Sequence, residues 1–76
     1  MFSVWWIARN NESQPILIEK GFLTTLDKVA SSCRRRIPML RLDHPDTPPD
    51  GFLIFDSDGT EVRRWFEPPE PGATIG

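Results

Sequence analysis

The sequence predicts an α+β domain of order β-β-α-β-β, an antiparallel four-stranded sheet carrying one amphipathic helix on one face. Three observations lead there. The stretch Gly51–Phe66, GFLIFDSDGTEVRRWF, has an apolar run, a turn at Ser57-Asp58-Gly59 and a half-polar return. Asp-Gly between two such runs is a strong hairpin signal, because glycine takes the positive φ of a turn without a Cβ clash. Leu26, Val29, Ala30, Cys33 and Ile37 recur at spacings of three and four, the mark of a helix with one apolar stripe. Ahead of them, Phe2–Arg9 is rich in aromatic and β-branched residues, which favour a strand.

Taken in order, Phe2, Val4 and Trp6 alternate with Ser3, Trp5 and Ile7, and both sets are largely apolar. Asn10-Asn11-Glu12-Ser13 is a turn cluster. Pro15 opens a second short strand, Ile16–Lys20, which Gly21 ends or bulges. Thr24-Thr25 marks a helix start: a threonine hydroxyl accepts from an orphan first-turn amide, and Asp27 suits the positive end of the dipole. Pro38 is expected to stop the helix near Ile37, because it clashes with the preceding turn. Met39–Leu42 then reads either as a post-proline turn or as a brief extended piece, and Asp43–Asp50 as a proline-rich loop. Residues 1–66 thus form one domain, and the Pro/Gly-rich segment 67–76, EPPEPGATIG, reads as a disordered tail.

This order resembles that of short uncharacterised bacterial proteins built hairpin–helix–hairpin. Their helix opens with a motif like Phe22-Leu23-Thr24-Thr25-Leu26-Asp27, and their last hairpin turns on Asp-x-Asp-Gly, here Asp56 to Gly59. The likeness covers roughly residues 2–66. Both motifs are structural, a cap and a turn, so the resemblance implies a fold and transfers no functional residue.

Composition narrows the function classes. A chain of 76 residues buries only a modest core, roughly 60% of its unfolded surface, and gains from a staple or a partner. Cys33 is the only cysteine, which leaves no internal disulfide and no multi-cysteine metal site. The first eight residues are apolar but too few to span a bilayer, and no basic segment precedes them as in a secretory signal. The expected setting is soluble and cytoplasmic, away from any membrane. A net charge of −2 gives no global attraction for a polyanion.

Several patterns invite chemistry. Phe52–Thr60, an apolar strand running into Asp-x-Asp-Gly-Thr, looks like the nucleophile motif of haloacid-dehalogenase-type phosphatases, with Asp56 as nucleophile and Asp58 as acid/base. That chemistry needs a doubly wound sheet, a downstream lysine and further magnesium-binding carboxylates. Only sixteen residues follow Thr60, none a lysine, and the strand resumes at once. A calcium loop needs its glycine sixth, whereas Gly59 is fourth counting from Asp56. Asp43-His44-Pro45-Asp46 offers one imidazole and two carboxylates splayed by proline. Cys33 lies on the apolar stripe and reads as a small buried hydrophobe. No catalytic residue, metal ligand or cofactor is therefore expected.

The strands carry more large apolar residues than one helix can cover. Four strands span roughly 19 Å, and a helix is about 10 Å wide. One sheet face is thus expected to stay open, displaying some combination of Trp5, Ile7, Leu53, Phe55 and Trp65 as an interface, with Trp65 as its anchor. The expected function is a non-enzymatic association module, a homodimer or a partner of another cytoplasmic protein. The competing self-covered reading folds Met39–Leu42 and the loop over that face. The alternative function is a small nucleic-acid-binding or regulatory protein using a basic patch at Arg34, Arg35 and Arg36, with Arg41, Arg63, Arg64 and the tryptophans nearby in support.

Overall fold

The structure, a computed structural model, describes residues 1–68; the expected disorder of the tail falls, for residues 69–76, outside them. Five elements follow in order: β1 (Phe2–Ile7), β2 (Leu17–Phe22), α1 (Leu26–Asp43), β3 (Gly51–Phe55) and β4 (Glu61–Phe66). The strands form a single antiparallel sheet of order β2-β1-β3-β4. Because β1 is antiparallel to both neighbours, β2 and β3 run the same way with β1 between them. Helix α1 is their crossover, which lays it across one face of the sheet.

Local chemistry sets the elements. The Thr25 hydroxyl accepts from the Lys28 amide at 3.3 Å, capping α1, and Asp27 sits in the first turn. In the second hairpin Gly59 takes a φ of +82°, as the Asp-Gly signal requires. Asp56 Oδ1 accepts from the Asp58 and Thr60 amides at 2.9 and 3.0 Å, so its carboxylate organises the turn. In β2, Gly21 takes a φ of +89° beside the register shift between Phe2 and Ser3. The β2 strand therefore runs on to Phe22 rather than ending near Gly21.

Pro38 does not stop the helix, which continues to Asp43 with the proline inside it. Pro38 removes the amide that would bond the Arg34 carbonyl, but its ring is exposed on the outer side. Ile37 and Leu40, on either side of it, are both buried on the apolar stripe, so packing outweighs one lost bond. Met39–Leu42 is accordingly helical, with Met39 and Leu42 exposed, and does not fold over the far face of the sheet.

The core lies between helix and sheet. Val29, Ala30, Cys33, Ile37 and Leu40 meet Val4, Trp6, Phe52 and Ile54, with Phe2, Leu17, Phe22, Leu26 and Trp65 around the rim. Leu17, Trp6, Phe52 and Trp65 form one cross-strand row, in which Trp6 meets Phe52 edge-on and Phe52 stacks on Trp65. Ion pairs pin the helix on both flanks. Arg36 forks onto Glu19 of β2 at 2.7 and 2.9 Å, and Arg63 of β4 reaches Asp27 at 2.9 Å. At the helix C-terminal end Arg41 bonds Asp50 at 2.9 Å.

Candidate functional site

The face of the sheet opposite α1 is built by the alternate residues of each strand. Register gives its rows. Lys20, Ser3, Phe55 and Glu61 lie side by side; next come Ile18, Trp5, Leu53 and Arg64; the last row is Ile7, Gly51 and Phe66. No helix or strand among the described residues covers this face. Its rows differ in how well they are sealed.

The last row closes on itself. Gly51 has no side chain, and the Phe66 ring lies over it so closely that a Cβ there would sit 2.8 Å from the ring edge. The Arg9 guanidinium stacks on Phe66 at 5.4 Å, and its Nη2 donates to the Glu67 carbonyl at 2.6 Å. Beneath this arrangement Ile7 is fully buried. In the middle row Arg64 stands beside Leu53, forks onto Glu61 at 2.9 Å and reaches Glu12 at 3.1 Å. That last contact ties the β1–β2 connection to the opposite edge strand, and Leu53 is left only 6% exposed.

The remaining part is open. Trp5 and Phe55 are half-buried and meet at 5.0 Å with their rings tilted by 52°. Ile18 beside Trp5 is 43% exposed. Lys20 at the β2 edge is exposed and makes no ion pair among the described residues. Across the sheet, Glu61 and Glu12 share one guanidinium, that of Arg64. The Glu61 carboxyl is held below its ordinary value by its hydrogen bonds from Arg64.

The expected interface residues therefore separate. Trp5 and Phe55 stand together on the uncovered face. Ile7 and Leu53 share that face but are buried within the chain, so they offer no surface to a partner. Trp65 is on the helix side, because the register shift between Ile54 and Phe55 inserts an extra residue into β4 and sets Trp65 opposite Phe52. There it stacks on Phe52 and lies under the Arg34 guanidinium at 6.0 Å, a rim residue of the core. Sequence reasoning missed Ile18, Lys20 and Glu61 as members of the face. The alternation of Leu17 and Glu19 with Ile18 and Lys20 carried the first two; Glu61 needed the register.

The three consecutive arginines do not gather into a patch. Helical rotation sends them apart: Arg36 onto Glu19 and the Trp6 ring at 5.2 Å, Arg34 onto Trp65, and Arg35 outward. Arg41, Arg63 and Arg64 are each held by a carboxylate. Burial pushes the Cys33 thiol up to about 11, which keeps it protonated and unreactive at neutral pH.

Among the described residues, no three His, Cys, Asp or Glu side chains come together as a metal site, and no helix is long and apolar enough to cross a membrane. A wide cleft of about 870 Å³ lies between the β1–β2 connection and the proline-rich loop. Two of its charged groups are already engaged, Arg9 with Phe66 and the Glu67 carbonyl, and Asp50 with Arg41 and the Arg9 amide. No protein-family model, no curated protein and no solved structure matches the chain.

Proposed function

We propose that this chain is a non-enzymatic association module of the cytoplasm that docks through the sheet face opposite α1. The observation that carries the reading is the Trp5–Phe55 pair with Ile18 beside it, apolar and partly open where the neighbouring Ile7 and Leu53 are sealed. Aromatic side chains supply large contact area at low entropic cost, and clusters of them mark docking surfaces. The edges of the sheet are poorer candidates. Both edge pairings are irregular, at Gly21 in β2 and at Val62 in β4, and irregular edges resist pairing with another strand.

The test is molar mass by light scattering over a dilution series, for the native chain and for Trp5→Ala, with circular dichroism confirming that the variant folds. The expected native mass rises above 8.7 kDa with concentration, and the variant stays monomeric. A native chain that is monomeric at every concentration, or a variant that associates as well as the native chain, overturns the reading.

A further inference from the structure

The uncovered face is polar at its two margins, and the polarity has a sense. Lys20 lies at the β2 margin and Glu61 at the β4 margin, and both belong to the same row, through Ser3 and Phe55. The β2 margin carries an exposed cation with no ion pair among the described residues. The β4 margin carries Glu61 and Glu12 around the single guanidinium of Arg64, an excess of negative charge.

We infer, resting on the reading just given, that the occupant of this face is a second copy of the chain. The two sheets stack face to face about a two-fold axis parallel to the strands and passing between β1 and β3. That operation lays β2 of one protomer over β4 of its partner. Lys20 then faces the partner's Glu61, and by symmetry the contact is made twice. In the apolar part Ser3, the smallest side chain of its row, comes over the partner's Phe55, while in the next row Trp5 comes over the position where Arg64 seals the partner's Leu53, and Ile18 over the partner's Arg64. Aligned packing of twisted sheets, about 10 Å apart and rotated by about 30°, has this form. A two-fold axis across the strands in the Lys20 row would set Lys20 against Lys20 and Glu61 against Glu61, so charge favours the first arrangement over that one.

Size bounds the strength. Four strands by about five residues give a face of roughly 19 by 17 Å, whose area is well below the roughly 800 Å² per partner of a standard stable interface. The pair is accordingly weak and concentration-dependent.

Charge reversal tests the geometry, read by light scattering and by sedimentation equilibrium. Lys20→Glu and Glu61→Lys are surface changes, but Glu61→Lys also releases Arg64, so circular dichroism and a urea melt first check that each variant folds. Each alone is expected to weaken pairing about tenfold, since two contacts turn repulsive. The double variant Lys20→Glu/Glu61→Lys restores it, and an equimolar mixture of the two single variants pairs with each other better than either does with itself. If the native chain pairs and Trp5→Ala abolishes pairing, but neither reversal matters or the double variant fails to recover, the two-fold arrangement is wrong and the docking face stands. If the native chain is monomeric, or pairs regardless of both Trp5 and the charges, the docking reading falls with it.

Discussion

The two faces of this sheet begin from similar residues and end differently. On the helix side Trp6, Phe52 and Trp65 stand in one row, covered by Cys33, Ile37 and their neighbours, and Trp6 and Phe52 are fully buried. On the other side the equivalent row is Trp5, Leu53 and Arg64, in which Arg64 and its carboxylates seal Leu53, while Trp5 and the neighbouring Phe55 stay partly open. Three cations finish what the helix cannot: Arg36 lies over Trp6, Arg34 over Trp65 and Arg9 over Phe66. A small domain with one helix thus seals its aromatic sheet partly with long basic side chains, whose stems are apolar and whose heads stay wet.

The comparison breaks most visibly at the paired substitutions Phe52→Ala and Phe55→Ala. Phe52 is fully buried, and its removal leaves a cavity between sheet and helix worth about 3–5 kcal/mol. Phe55 is half-buried against Trp5 and its loss costs about 1 kcal/mol or less in the monomer. Urea denaturation at low protein concentration measures both. Equal costs would mean that the uncovered face is as much a core as the covered one.

Gly51 sharpens the contrast within the uncovered face. A methyl group there would run into the Trp65 carbonyl oxygen and crowd Phe66, both fixed by strand pairing. Gly51→Ala is expected to cost about 2–3 kcal/mol through displacement of β4, and to expose Ile7 as Phe66 lifts away. Urea melts report the first effect and amide exchange at Ile7 the second. A smaller gain lies on the outer side of the helix. Pro38→Ala restores the missing bond to the Arg34 carbonyl on an exposed position, and is expected to stabilise by about 1–3 kcal/mol in the same melts. Loss of stability instead would show that the proline sets a bend on which the packing of Ile37 and Leu40 depends.

The element order, the threonine cap, the Asp-Gly turn and the helical stripe were all legible in the residues, since each rests on a local rule. The assignment of faces was not. Alternation separates two sets of side chains in β1 but cannot rank them when both are aromatic, and in β4 a single inserted residue moves Trp65 from one face to the other. Pro38 misled for a related reason: its local penalty is real, but Leu40 beyond it belongs to the same buried stripe as Ile37. The arginine run read as a patch because adjacency in sequence suggests adjacency in space. On a helix, consecutive residues point about 100° apart, and Arg34 and Arg36 end on opposite flanks of the stripe.

The smallest expected effect concerns the β2 flank of the covered face. Hydrogen bonds from Arg36 hold the Glu19 carboxyl below its ordinary value of 4.5, opposed by partial burial and helped by the Trp6 indole N–H at 3.0 Å. A folded-state value below the unfolded one means that Glu19 contributes stability above about pH 4.5, and that this share is lost as the pH falls through the lowered value. With 38% of the Arg36 side chain and 29% of the Glu19 side chain exposed, solvent screening limits the pair to about 1 kcal/mol. Urea melts over a pH series downward from 7 should therefore show Glu19→Gln destabilising at pH 7, with a penalty that shrinks as the pH falls through the lowered value of Glu19. A penalty that stayed constant across the series would assign the role of Glu19 to packing beneath Arg36 and Trp6, with its charge incidental.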